Sequence, residues 1–259
     1  MGPSISATPA SSGRGGSAAA FATLRLPSGE VQCWCASLDV PPEISACLYA
    51  TLTPDERRRS ARFYFERDRQ RFIVAHGVLR DVLAHYLGTR AGNIGYVYNA
   101  FGKPDLNPAF GGRLRFSLSH SGDLAVIAVA TSNVGVDVEY IRAESDYAAV
   151  AHGFFSEAEV NYLTALPSSL HAEAFFSCWT KKEAYVKASG EGLAIPLNSF
   201  SVPLTTGPAP VLRDSCIDTE SARHWSLFTL QLAPGYAGAL AIQGDGWTIR
   251  QCLWKSPRE

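Results

Sequence analysis

The stretch Phe175-Phe176-Ser177-Cys178-Trp179-Thr180-Lys181-Lys182-Glu183-Ala184-Tyr185-Val186-Lys187 constrains this chain most, because it sets four charges inside an otherwise apolar helical pattern. Phe175, Trp179 and Val186 recur at near-helical spacing, and Glu183 and Lys187 stand one turn apart on one face. Gly190 and Gly192 follow where a C-terminal cap belongs, and Pro196 forbids continuation, so the helix ends there. Taken alone, a Glu-to-Lys pair on a surface helix contributes only about 0.2–0.5 kcal/mol. A second acidic site upstream favours a functional cluster instead. In Gly135-Val136-Asp137-Val138-Glu139 the strict alternation reads as a strand, with Asp137 and Glu139 on one face and the valines on the other. Their Cα atoms then lie about 7 Å apart. Either the two acids face water along an edge strand, or they share a counter-ion.

The rest of the chain reads as a soluble α+β protein. Its 259 residues, 46% of them hydrophobic, suffice for one large domain or two of ordinary size. A net charge of -1 argues against a globally basic nucleic-acid binder, and no run approaches the roughly 18 apolar residues of a membrane span. The six cysteines are scattered, and only Cys33 and Cys35 are closely spaced, so they are read as reduced and buried. Residues 1–20 are rich in Ser, Gly and Ala without periodicity, which predicts disorder; no secretory or transit signal is read there, which makes the cytoplasm the default compartment.

A strand is expected over 31–38 and a short helix over 44–52. Thr53-Pro54-Asp55-Glu56 is a start signal for a helix that runs on through the arginines of 57–71 to the apolar Val78-Leu79. Such arginine density is either a solvated face interspersed with acids or a surface for phosphates and carboxylates. A strand near 94–98 leads to the tight turn Phe101-Gly102-Lys103-Pro104, and 114–130 reads as strand, polar turn, strand, with His120 presented in the turn between two serines. Beyond Glu139, Ser156 and Glu159 form a capping-box pattern opening a helix over 156–166. Strands follow over 200–202, 225–232 and 236–242, residues 204–222 read as a loop, and 256–259 as a frayed end. Helix, strand and hairpin thus occur twice. This predicts two similar halves fused in one chain, a pseudo-dimer with the active site in the cleft between them: an extension over 1–29, one half over 30–133 and the other over 134–255. P-loop, zincin, nucleophile-elbow and dinucleotide-binding motifs are all absent.

The acidic strand followed some forty residues later by Trp179-Thr180-Lys181-Lys182-Glu183-Ala184-Tyr185-Val186-Lys187 resembles the paired signature of the 4′-phosphopantetheinyl transferases. Phe101-Gly102-Lys103-Pro104, Ser117-Leu118-Ser119-His120-Ser121-Gly122 and Arg62-Phe63-Tyr64 look like the upstream motifs of the same family, in its larger, monomeric, surfactin-synthetase-activating type. The resemblance implies Mg²⁺-dependent transfer of the phosphopantetheine arm of coenzyme A to a serine of an acyl or peptidyl carrier protein, in polyketide, nonribosomal peptide or fatty-acid synthesis, leaving adenosine 3′,5′-bisphosphate. It implies Asp137, Glu139 and Glu183 as metal ligands, with Glu183 either completing that site or acting as the base; oxygen donors suit Mg²⁺. Lys187 and His120 would offset phosphate charge, while Lys103, Ser119, Arg59 and Arg62, with Arg71 nearby, would hold the nucleotide end. Two alternatives remain from the residues themselves: a nonenzymatic module that binds nucleic acid or another anionic partner through 57–71, and a Mg²⁺-dependent phosphohydrolase.

Overall fold

The computed structural model describes residues 23–142, 146–204 and 225–256. The expected disorder of 1–20, the loop over 204–222 beyond its first residue, and the end beyond Ser256 lie outside the described residues. Ser256 itself is buried, so it does not fray.

The first half opens on β1 (Glu30–Ser37), followed by α1 (Pro42–Thr51), α2 (Pro54–Ser60) and α3 (Glu66–Leu87). A small hairpin, β2 (Tyr96–Tyr98) and β3 (Pro104–Leu106), precedes a larger one, β4 (Arg115–Ser121) and β5 (Leu124–Ala130). The second half repeats the scheme with β6 (Val134–Tyr140), then α4 (Tyr147–Phe154), α5 (Glu157–Ala165) and α6 (His171–Ser189), and the hairpin β7 (Trp225–Thr229) and β8 (Tyr236–Gln243). A last strand, β9 (Thr248–Leu253), pairs in parallel with β1 and extends the sheet β4-β5-β1-β9 of the first half. The segment 134–255 therefore does not close on itself: its end crosses back to cover an edge of the other sheet that would otherwise present unpaired N–H and C=O groups.

The repeat extends to buried charges. Thr53 and Glu56 form a capping box at the start of α2, and Ser156 and Glu159 form one at the start of α5. In each half that capping glutamate is buried and pairs with a fully buried cation of the long helix: Glu56 with Arg80 at 3.1 Å, Glu159 with Lys182 at 2.7 Å. A carboxylate already holding backbone N–H groups and a guanidinium or ammonium that donates to buried carbonyls satisfy one another, which is the condition for burying such charges.

The two sheets face each other. Val31, Cys33, Val126 and Ala128 pack against Val134, Val136, Val138, Leu240 and Ile242, while the outer faces pack on α3 and α6. Both faces of β5 are covered, which is why it reads as one continuous apolar run rather than an alternation. Gly135 sets the distance between β6 and α6, since a Cβ there would lie 2.1 Å from the Ala184 carbonyl oxygen and 2.4 Å from the Ala188 nitrogen.

Four expectations are corrected. The helix begun at Thr53 stops at Ser60 and restarts at Glu66, with Phe65 extended between them; the acids Glu66 and Asp68 mark a fresh N-terminus inside the arginine run. His120 lies within β4, because a two-residue turn, Gly122-Asp123 with Gly122 at φ 55°, suffices for the hairpin. No regular strand forms over 200–202: Phe200 is extended, but its carbonyl accepts from Lys182. Cys47 is exposed and Cys252 half-buried, whereas Cys33, Cys35 and Cys178 are buried as free thiols. Cys216 lies outside the described residues.

Candidate active site at the junction of the halves

The strands β4 and β6 meet at the junction through side chains. Ser117, Ser119 and Ser121 accept, through Oγ, the backbone N–H groups of Val136, Val138 and Tyr140 at 3.1, 3.3 and 3.1 Å. With a strand period of two, these serines share one face of β4 and meet the acidic face of β6. Ser119 donates to Asp137 Oδ1 at 2.8 Å, and Ser121 donates to Glu139 Oε2 at 2.7 Å.

From the other side α6 brings Lys187 and Glu183. Lys187 does not close the i, i+4 pair on its own helix: its Nζ reaches Asp137 Oδ1 at 2.6 Å and Ser119 Oγ at 3.0 Å. Burial raises the pKa of Asp137, against the pull of Lys187 and Ser119. It raises Glu139 and Glu183 as well; repulsion from Asp137 adds to both, and repulsion from Glu139 adds to Glu183. Three carboxyls thus compete for one lysine, and Asp137 Oδ2 is buried with no hydrogen-bond partner. Among the described residues no three acid, histidine or cysteine side chains already stand as a cage for a metal ion.

Beside this cluster opens a cavity of about 460 Å³, in the range of small-molecule sites, walled by both halves. Arg59, His76, Lys103 and His120 come from the first half, Glu183 and Lys187 from the second, and Tyr96, Tyr98 and Phe101 supply an aromatic side. Arg62 lines a smaller neighbouring recess with Arg59 and His120. Arg71 stands apart, paired with Asp123 at 2.6 Å and facing a different hollow. Most of the remaining arginine run is also engaged, Arg58 with Asp55, Arg69 with Glu66, Arg67 with Asp68, and Arg57 with the Ala50 carbonyl, which leaves little of it as a continuous basic face. Ser119 is buried and its proton goes to Asp137 rather than into the cavity.

Lys103 is not simply exposed in its turn. Its Nζ donates to the Ala188 carbonyl at 3.0 Å and the Val134 carbonyl at 3.3 Å, so the small hairpin spans the junction. Burial without a carboxylate in contact lowers its pKa to about 8. His120 opens to the cavity, yet protein packed round its ring removes enough water to lower its pKa, and His76, Lys187 and Arg71 repel its charged form; together they bring it to about 4. It is therefore neutral at pH 7 in the ligand-free protein, a hydrogen-bonding group rather than a standing positive charge.

His76 was missed in the sequence. It stacks on Phe72 with ring centroids 4.0 Å apart and stands 3.5 Å from Glu56. Its signal was a single imidazole in the apolar run Phe72-Ile73-Val74-Ala75-His76-Gly77-Val78-Leu79. Glu56, which also lines the cavity, would be raised by burial, but the neighbouring His76, hydrogen bonds from Thr53 and the charge of Arg80 bring it down to about 2.

The lowered pKa of His120 gives a pH prediction. A base whose folded pKa lies below its unfolded value near 6.5 supports the fold above that value, and the support is lost as pH falls toward 4. The melting temperature of His120→Asn should accordingly fall less steeply than that of the parent between pH 6.5 and 4. Parallel melting profiles in that window would contradict the assignment.

Fold and site together define a fused, two-half α+β protein with a mixed cavity of acids, cations and aromatics at the junction. The chain belongs to the 4′-phosphopantetheinyl transferase family: residues 133–241 match the 4′-phosphopantetheinyl transferase superfamily and residues 41–132 match its N-terminal domain family. It is 40% identical over 227 residues to 4′-phosphopantetheinyl transferase HetI of Nostoc sp., covering 86% of this chain and 92% of that one. It is 31% identical over 156 residues to 4′-phosphopantetheinyl transferase Sfp of Bacillus subtilis, covering 59% and 66%, and 28% identical over 227 residues to a phosphopantetheinyl transferase of Thraustochytrium sp., covering 81% and 77%. As a member of this family it is an enzyme that transfers phosphopantetheine from coenzyme A to carrier proteins. No helix among the described residues is long and apolar enough to cross a membrane.

Proposed function

We propose that this protein is a Mg²⁺-dependent holo-carrier-protein synthase of the surfactin-synthetase-activating type, acting as a cytoplasmic monomer and releasing adenosine 3′,5′-bisphosphate. The observation that carries the reading is the junction cluster: Asp137, Glu139 and Glu183, each with a raised pKa, beside a cavity with cations on its wall. Mutual repulsion and the bare Asp137 Oδ2 fit a hard divalent cation, which prefers carboxylate oxygens and leaves positions for substrate phosphates. Asp137 and Glu139 would hold it, with Glu183 nearest the cavity. When bound, the ion supplies charge neutralisation to the diphosphate.

The chain's own residues do the rest. Arg59 and Arg62 hold the nucleotide phosphates, Lys103 borders their path, and His120 donates a hydrogen bond to a phosphate oxygen. Lys187, held by Asp137 at the cavity wall, offsets charge on the diphosphate. Glu183, its pKa raised by burial and by the charges of Asp137 and Glu139, takes the proton from the carrier serine as the serine oxygen forms its bond to phosphorus and the bond to adenosine bisphosphate breaks. Both walls of the cavity come from one chain, which supports a monomer. The reading is tested by intact mass spectrometry of an apo carrier protein incubated with the protein, coenzyme A and Mg²⁺. A gain of one phosphopantetheine arm, abolished by chelator, is expected. Release of phosphate from simple esters with no gain on any of a panel of carriers would favour the phosphohydrolase instead.

A further inference from the structure

The serine ladder of β4 repeats one contact three times with different partners on β6. Each Oγ accepts an N–H of β6, from Val136, Val138 or Tyr140, and the residue preceding that N–H faces the same serine. Opposite Ser117 that residue is Gly135, which offers no side chain; opposite Ser119 it is Asp137; opposite Ser121 it is Glu139. Asp137 is held twice over, by Ser119 and by Lys187. Among the described residues Glu139 is hydrogen-bonded by Ser121 alone.

We propose that Ser121 is a positioning residue: by accepting the Tyr140 N–H at 3.1 Å and donating its single proton to Glu139 Oε2 at 2.7 Å, it fixes the Glu139 carboxylate with Oε1 free to take a divalent cation. The proposal rests on the reading of Asp137 and Glu139 as metal ligands. A hydroxyl has one proton, and with the Tyr140 N–H on the acceptor side that proton turns to the carboxylate, its hydrogen-bond acceptor here. Glu139 has three side-chain torsions and sits at the less buried end of β6, so without Ser121 its ordering would have to be supplied by metal binding itself. Hydrogen-bonding partners of metal ligands typically contribute about 10–100-fold in metal affinity.

The ladder supplies its own control. Ser117→Ala removes the same bond across the junction as Ser121→Ala does, but no carboxylate faces it. Mn²⁺ is titrated into the full-length protein saturated with coenzyme A, with free Mn²⁺ read from its electron paramagnetic resonance signal. Ser121→Ala should weaken Mn²⁺ binding by about tenfold or more. Ser121→Thr, which keeps the hydroxyl on a strand that accepts β-branching, should bind close to the parental value. Ser117→Ala should also keep the parental affinity. Should Ser121→Ala not fold, Ser121→Cys, whose thiol is a weak donor, carries the same expectation of weakened binding. Parental affinity in the Ser121 variants while Asp137→Asn loses the metal would overturn the proposal and leave the metal reading standing. Equal losses in Ser117→Ala and Ser121→Ala would also overturn it, assigning the effect to the strand junction. A parent that binds no Mn²⁺ would bring down the metal reading and this proposal with it.

Discussion

Asp137→Asn is expected to lower carrier-protein modification by roughly 10³-fold or more while leaving the melting temperature within a few degrees of the parent. The substitution keeps the volume of the side chain and an oxygen that can still accept from Ser119 and Lys187, so the junction between β4, β6 and α6 survives. What it removes is charge. A metal contributes several kcal/mol of charge stabilisation in the transition state, each 1.36 kcal/mol being tenfold in rate, and an amide oxygen is a poor replacement for a carboxylate in holding it. Stability should hardly suffer, because Asp137 is a buried carboxylate with a raised pKa and one oxygen without a partner, so its ionised form is no large source of stability in the ligand-free protein. Lys187 is partly exposed, so its ammonium keeps water when its counter-charge goes. The measurement is intact-mass kinetics beside a thermal melt. Retention of most of the activity would remove Asp137 from the metal site, and a collapsed melt would make it a fold residue instead.

The chemistry-bearing elements were legible in the sequence because each obeys a short-range rule. The period of two on β6 put Asp137 and Glu139 on one face, the glycines after Lys187 ended α6 at Ser189, and the cap, proline and acids at 53–56 and the capping box at Ser156 announced two helix starts. What was not legible depends on contacts between distant segments. Lys187 offered an obvious partner one turn away, and only the packing of α6 on Gly135 reveals that Asp137 is the one it takes. Ser119 fitted a ligand-binding motif, yet its proton is spent inside the protein. The break at 61–65 sat within an arginine run, and its one local signal was Phe63-Tyr64-Phe65, three aromatics that form helix less readily than the arginines around them. β9 was not legible as a strand: Thr248-Ile249-Arg250-Gln251-Cys252-Leu253 lacks a clean alternation, and its pairing with β1 is set by a partner near the other end of the chain.

Lys182→Met should destabilise the protein by about 3–5 kcal/mol, the cost of leaving a buried charge without its partner. At roughly 2–4 °C per kcal/mol for chains of this size, the melting temperature falls on the order of 10 °C. Lys182 lies beside Glu183 in the helix that carries the chemistry, and a sequence motif alone would credit both with catalysis. Their surroundings separate them. Lys182 is fully buried on the face of α6 turned from the cavity, where its Nζ donates to Glu159 and to the carbonyls of Leu197 and Phe200 and sits 4.4 Å from the Phe200 ring centroid. Methionine fills most of that volume but leaves two carbonyls without a donor and removes the one cation paired with Glu159 among the described residues, which keeps the N–H groups of Ser156 and Val202 and the Cys178 thiol. Adding Glu159→Gln to Lys182→Met should therefore recover part of the loss, because a neutral amide no longer requires a buried counter-ion. At a temperature where Lys182→Met remains folded, its transfer rate per folded molecule should stay near that of the parent, since neither Lys182 nor Glu159 borders the cavity. A loss of rate with an unchanged melt would reverse the assignment and place Lys182 in the reaction; a loss of stability matched by Arg80→Met in the other half would show that each half depends on the same buried pair, built from a capping glutamate and the long helix that packs behind it.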